Sequence, residues 1–253
     1  PKRAEKIAKF LDHLFTLLPF EPPYFEKYGL PTTYVGHPVL ESGIDTGDGL
    51  AFRQRYKIRN NEQILLLLFG SRRAEVLRHI EEFKETVLQL SKTIKNLRVV
   101  TIAVNQTKEL VSQAVNHWPI KVITSSDPRE KPDIFAASNV ALAASGTVAL
   151  ELALAMVPSV IAYRMNPVTS WFAKRLVKIR FANLVNLILE REVVPEFLLD
   201  QCRAELIAPT LKTLMTSPKL LQQQRDDYHK AIALLGNGDH SASERAAKTL
   251  LKI

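Results

Sequence analysis

The sequence predicts an α/β fold built on a doubly wound parallel sheet, and three observations carry that prediction. Residues 64–69, Ile-Leu-Leu-Leu-Leu-Phe, form an unbroken apolar run of strand length, the pattern of a strand buried on both faces. A helix-length stretch follows it directly. The same alternation of apolar run and helix occurs five times in succession before residue 180, which is the signature of parallel strands linked by crossover helices.

In chain order, residues 1–12 read as an amphipathic helix with Ile7, Phe10 and Leu11 on one side. Residues 14–18 form a short apolar strand ended by Pro19, and Pro22-Pro23 open a helical turn reaching Tyr28. Residues 32–35 are β-prone and Gly36-His37-Pro38 breaks them, His37 reading as a turn residue. Residues 41–49 carry Gly43, Gly47 and Gly49 among acids and read as a linker. The regular part then runs strand 64–69, helix 74–95, strand 99–104, helix 108–118 and strand 120–124. Asp127-Pro128-Arg129-Glu130 reads as a capping box with proline at the first helical position. Strand 139–144, helix 147–156, strand 158–163 and helix 168–178 complete the alternation. From residue 195 on the chain reads as helical, punctuated by Gly236 and Gly238, with Ser241 to Glu244 as a capping box for a last helix.

The composition is that of a globular chain: 253 residues, 46% hydrophobic and 24% charged. The net charge of +8 favours anionic partners such as nucleotides or acidic lipid, and equally serves plain solubility. Cys202 is the only cysteine, so an internal disulfide is excluded. It reads as a small core residue in a chain suited to a reducing cytosol, with a catalytic thiol as the alternative. No apolar run is long enough to span a bilayer. The first residues form no signal-peptide core and include no initiator Met, so a fragment or processed product is expected. No basic run interleaves with aromatics, which argues against nucleic acid. No His, Cys, Asp and Glu cluster has metal-ligand spacing, and no metal or cofactor is expected.

In a doubly wound sheet, ligands bind where strands end and helices begin. Two such junctions hold suitable residues. At the first, Gly70 allows close backbone approach, Ser71 is placed to cap the helix, and Arg72 offers a fork of donors suited to phosphate. The same residues also fit a capped turn with two surface arginines. At the second, Ser145-Gly146-Thr147 offers hydroxyls and a helix start, with Glu151 one turn on to accept sugar hydroxyls or simply to face solvent. Two anion-ready turns in one domain suit a diphosphate held between them. Around residues 171–180, Phe172, Leu176 and Ile179 share one helical face while Lys174, Arg175 and Lys178 share another. Such a helix fits an anionic membrane surface or, as readily, a core face with solvated lysines.

Taken together, Tyr34 to Pro38, Leu68 to Glu75, Ala144 to Glu151, Tyr163 to Pro167, Ala173 to Lys178 and Asn183 to Leu187 resemble the lipid-A-disaccharide synthase family in order and spacing. The resemblance runs from about residue 8 to the C-terminus. It implies a two-domain GT-B architecture and an inverting, metal-free transfer. A diacylated glucosamine would pass from UDP-2,3-diacylglucosamine to 2,3-diacylglucosamine 1-phosphate, with UDP leaving. It places Gly70, Ser71 and Arg72 near the donor diphosphate, with Ser145, Gly146, Thr147 and Glu151 completing the pocket and Tyr163, Arg164 and Asn186 lining it. On this reading residues 1–40 are the remnant of an acceptor-side domain, 41–195 the UDP-sugar-binding Rossmann-like domain and 196–253 C-terminal helices.

The catalytic base and most of the acceptor side would lie outside this sequence. The missing part would be supplied by a separate N-terminal half, with a homodimer as another possible assembly. The expected location is cytoplasmic, at the inner face of the inner membrane. The alternatives are a UDP-binding module without activity and an interaction protein without ligand. Three positions depart from the family pattern, which has proline at Phe69 and Val185 and glutamine at Leu199. Proline pre-sets a turn that other residues leave free.

Overall fold

The computed structural model describes residues 2–144, 146–164, 181–236 and 241–252. The expected helix over 168–178, its lipid-facing alternative, Gly238 and Ser145 lie outside these described residues.

Six parallel strands form the main sheet: β3 (Gln63–Leu68), β4 (Leu97–Ile102), β5 (Val122–Ser125), β6 (Val140–Ala143), β7 (Ser159–Tyr163) and β8 (Glu196–Leu198). Their order is β5-β4-β3-β6-β7-β8, so the winding reverses between β3 and β6. Leu68 pairs with Ala143 there, and the Ala144 N–H donates to the Leu68 carbonyl at 2.8 Å. A parallel strand cannot return by a hairpin, and the helices that carry the chain back cover both faces.

Side-chain alternation along β3 divides the core in two. Ile64, Leu66 and Leu68 pack with Phe52, Ile134, Phe135, Leu150 and Tyr228 on one face. Those residues come from α3 (Gly49–Arg55), α6 (Lys131–Ala137), α7 (Val148–Leu154) and α10 (Pro218–Leu235). Leu65, Leu67 and Phe69 pack with Val76, Phe83, Val111 and Leu211 on the other, from α4 (Arg73–Ser91), α5 (Lys108–Asn116) and α9 (Ala204–Thr216). Residues 64–67 have no accessible surface. Cys202 belongs to the second cluster, and burial pushes its thiol up to about 11, so it is an inert core residue near neutral pH.

Several expectations are corrected. Residues 1–12 give only α1 (Lys2–Ile7), and Phe10 is 71% exposed. The two short strands expected near the N-terminus form a separate parallel pair, β1 (Leu14–Thr16) and β2 (Thr32–Tyr34), flanking α2 (Pro22–Glu26). The supposed linker at 41–49 is packed structure. Asp48 caps α3 by accepting from the Ala51 N–H at 2.9 Å, and its own N–H donates to Asp133 at 2.8 Å. Its glycines allow that packing: a Cβ on Gly47 would fall 2.1 Å from the Pro132 carbonyl.

Asp127 does cap its turn, but by accepting from Arg129, and Glu130 makes no capping box. The Glu130 carboxylate instead accepts from Arg55 (2.5 Å), Tyr56 (3.1 Å) and Ser125 (2.6 Å). The chain beyond residue 195 is not wholly helical: Glu196–Leu198 adds the edge strand β8, preceded by α8 (Leu184–Ile188). Three residues leave too short a period for the sequence pattern to reveal.

The last helix, α11 (Ala242–Leu250), has its expected capping box between Ser241 and Glu244. It folds back on the N-terminal strand pair. Arg245 Nε donates to the Val35 carbonyl at 2.6 Å, and Ser243 Oγ donates to Glu41 at 2.8 Å.

Gly47→Ala tests whether residues 41–49 are packed rather than loose. The added methyl meets backbone that has nowhere to move, so the variant should lose about 1–3 kcal/mol in urea unfolding. A flexible linker would tolerate it unchanged.

Candidate functional site

Of the expected site residues that the structure describes, all but one lie at the C-terminal edge of the main sheet. Gly70 follows β3 and adopts φ +106°, a conformation that favours glycine. A Cβ there would sit 2.6 Å from Glu75 Oε2, so glycine also makes room for the Glu75 side chain. That carboxylate turns back to accept from the Arg72 N–H at 3.3 Å and from Arg72 Nη1 at 3.1 Å. The residue at the helix boundary is Arg72 and not Ser71, which corrects the expected cap: Ser71 lies one position earlier and is exposed. The Arg72 side chain is 79% exposed. Beside it opens the N-terminus of the 19-residue α4, whose free N–H groups carry partial positive charge.

On the neighbouring strand, Gly146 adopts φ +144° beyond β6, and Gly146 and Thr147 are both exposed ahead of α7. Glu151, one turn into α7, is not a free carboxylate. Lys131 of α6 holds it at 2.7 Å, a contact the local spacing did not reveal. Tyr163 ends β7 and Arg164 follows it. Arg164 Nη1 is 2.7 Å from Glu82 on α4, and the Arg164 N–H donates to His79 Nε2 at 3.0 Å. His79 and Glu82 therefore belong to the site's frame. Nothing in the sequence singled them out, because their partner lies more than 80 residues away.

Asn186 is the exception. It is fully buried on α8 at the start of β8. Its Nδ2 donates to the Val194 carbonyl (2.8 Å) and to Glu196 (2.7 Å), while its Oδ1 accepts from Val193 (2.8 Å) and Val194 (2.9 Å). Both amide hydrogens and both lone pairs are in use. Asn186 pins the 189–195 loop to the helix, its bonds spent within the fold.

Phe69 and Val185, where the family pattern has proline, are both buried. Phe69 packs on Phe83 at 5.1 Å and Trp118 at 6.2 Å, so an aromatic cluster holds the position before Gly70. Leu199 adopts φ +56°, costly for its side chain, where β8 ends beside Tyr163.

Around the turns, then, stand backbone N–H groups, the exposed guanidinium of Arg72, hydroxyls and a carboxylate matched to a lysine. These groups suit an anion that carries hydroxyls. Among the described residues no cluster of His, Cys, Asp and Glu has the arrangement of a metal site, and no helix is long and apolar enough to cross a membrane.

A six-stranded parallel sheet with helices on both faces and a reversal in strand order is a doubly wound α/β fold of the kind found in GT-B proteins. Solved structures with that fold match most of the chain at low identity. They include the UDP-GlcNAc 2-epimerase of Neisseria meningitidis bound to UDP-GlcNAc (TM-score 0.59, 15% identity, 91% of this chain and 59% of that one). Another is HepE of Anabaena in complex with UDP-glucose (TM-score 0.58, 12% identity, 97% and 65%). The wall teichoic acid polymerase TagF also matches (TM-score 0.55, 15% identity, 99% and 60%).

The chain belongs to the lipid-A-disaccharide synthetase family, whose model matches residues 1–250. It is 48% identical over 253 residues to the lipid-A-disaccharide synthase of Rhodospirillum centenum, covering 100% of this chain and 63% of that protein. It is 41% identical over 251 residues to that of Paramagnetospirillum magneticum, covering 98% and 64%. The chain thus spans less than two thirds of the length of these relatives.

The Asn186 network sets a stability test. Asn186→Ala strands the buried N–H of Val194 and the part-buried N–H of Val193, so it should destabilise the chain by about 2–4 kcal/mol in urea unfolding. Unchanged stability would return Asn186 to a ligand-facing role.

Proposed function

We propose that this chain is the donor-binding part of a lipid-A-disaccharide synthase. In that reaction the acceptor hydroxyl of 2,3-diacylglucosamine 1-phosphate attacks the anomeric carbon of UDP-2,3-diacylglucosamine. The bond from that carbon to the UDP oxygen breaks, UDP leaves, and a β-linked disaccharide forms. The observation that carries this reading is the placing of the Gly70 and Gly146 turns on adjacent strands, β3 and β6, at the reversal of a sheet in this family. Gly70, Ser71 and Arg72 take the diphosphate at the start of α4. Ser145, Gly146 and Thr147 take its other side, and Glu151, oriented by its contact with Lys131, accepts sugar hydroxyls. Tyr163 and Arg164 border the sugar. A diphosphate between a helix start and an exposed arginine is neutralised without a metal.

The rest of the reaction needs groups that these turns do not supply. An acceptor hydroxyl is a poor nucleophile unless a positioned group takes its proton. The second substrate must also be oriented against the first, which is a large part of the rate. On this reading both duties fall to the part of the relatives that this chain does not span, more than a third of their length. Exposed Phe10, Leu17 and Tyr24 around the N-terminal strand pair form the apolar surface that the other part would cover. Both substrates carry acyl chains, and the net charge of +8 suits work at the anionic inner face of the inner membrane.

Arg72→Ala should weaken UDP binding by about 1.5–3 kcal/mol in calorimetry, the scale of a charge-assisted hydrogen bond. Equal affinity would move the diphosphate elsewhere. The purified 253-residue chain, given both lipid-sugar substrates, should bind UDP yet form no disaccharide above background and self-associate in solution. Turnover by this chain alone would show that it holds its own base and acceptor site. Neither UDP binding nor turnover would leave an interaction protein.

A further inference from the structure

His79 lies fully buried on α4 and joins two segments that no strand pair joins directly. Phe69 closes β3 and Arg164 follows β7, and β6 stands between those strands in the sheet. His79 spans the gap: its Nδ1 is 3.0 Å from the Phe69 carbonyl, and its Nε2 accepts from the Arg164 N–H at 3.0 Å. An amide N–H only donates, so Nε2 carries no proton. A carbonyl only accepts, so Nδ1 carries one. A single neutral tautomer satisfies both contacts, and the charged ring satisfies only the first.

The surroundings hold that tautomer. The ring stacks on Phe83 at 5.6 Å and leans on Tyr163 at 5.4 Å. Burial lowers the imidazole below the usual histidine range. Arg78 and Arg164 act in the same sense, and the Phe69 carbonyl and Glu75 oppose it. Glu82 on the same helix secures the Arg164 side chain and also accepts from the Ala204 N–H at 3.1 Å. Cys202, beyond β8, lies close enough to feel Glu82 and Arg164, and burial keeps it neutral.

We propose that His79 is a positioning residue of the donor pocket, whose neutral ring clips the Gly70 turn to the Arg164 segment across the end of β6 and so sets the width of the mouth at the Gly146 turn. This rests on the reading that UDP binds at these turns. The strands hold their own ends in register, but among the described residues those just after β3 and β7 share no ladder. The His79 bridge supplies one. Protonation turns Nε2 into a donor facing the Arg164 N–H and opens that side of the clip. A histidine lowered in the folded state binds its proton only below its ordinary range, so the clip is closed at neutral pH and opens on acidification.

The experiment is UDP calorimetry on the wild-type chain and on His79→Leu at about pH 7.5 and about pH 5.5, with hydrogen exchange at the Arg164 amide followed in parallel. His79→Leu keeps an apolar side chain in the site and removes both bonds. It should bind UDP about tenfold more weakly at the higher pH, the scale of a lost buried hydrogen bond, and expose the Arg164 amide to exchange. Acidification should weaken wild-type binding more steeply than binding by the variant. The ionisation of UDP itself is common to both and cancels in their ratio.

A folded His79→Leu that binds UDP as tightly as wild type, or pH curves that run parallel, would overturn the proposal. Should the variant fail to fold, imidazole nitrogen NMR of the wild-type chain decides. The proposal requires an Nδ1–H tautomer whose titration coincides with loss of Arg164 amide protection, and titration without that loss overturns it. A wild-type chain that binds no UDP while its Arg164 amide stays protected at neutral pH would overturn the donor reading, and this role with it, although the clip itself would stand.

Discussion

The burial of β3 on both faces is the constraint from which the remaining architecture follows. A strand whose isoleucine and first three leucines have no accessible surface needs apolar cover above and below, and hydrogen-bonding neighbours on both edges. Parallel neighbours meet the second need and force crossovers. The crossover helices meet the first. Once β3 occupies the centre with β4 on one side and β6 on the other, its C-terminal end and that of β6 must lie together. The Gly70 and Gly146 turns are neighbours for that reason and no other.

Around those turns the polar groups are arranged in tiers. Glu75 orients Arg72 from within its own helix, while Lys131 and Glu82 reach their partners, Glu151 and Arg164, from other elements. Exposed pairs of this kind add little stability, because water already solvates both charges. Their effect is to narrow the directions in which the guanidinium and carboxylate groups point. Preorganisation of that sort lowers the entropy lost when a ligand is bound.

The two ends of the chain are joined through side chain and backbone rather than through a shared sheet. Tyr34 donates its hydroxyl to the Leu235 carbonyl at 2.8 Å, and Arg245 reaches the Val35 carbonyl across 210 residues. Gly36 suits that meeting point, since it adopts φ +95°, a conformation that favours glycine, and leaves room for the Arg245 side chain. The strand pair β1–β2 is too small to stand alone. Its attachment to α10 and α11 ties its position to the main sheet, against which α10 packs.

Sequence alone determined the fold class, the five consecutive strands and the two glycine turns, because each depends on information local to a few residues. An apolar run of strand length, a glycine at positive φ and a serine three residues before a glutamate act wherever they fall. The family likeness, carried by linked short motifs, drew on the same local record. Tertiary structure alone decided that residues 41–49 are packed, that 196–198 pair as an edge strand, and that Asn186 serves the core. It also decided that Glu151 has a lysine partner and that His79 joins β3 to β7. Each of these depends on partners brought in from other elements by the winding of the sheet. Period and composition describe how a side chain meets its own helix or strand, and they carry no record of which distant carbonyl or N–H will stand opposite it.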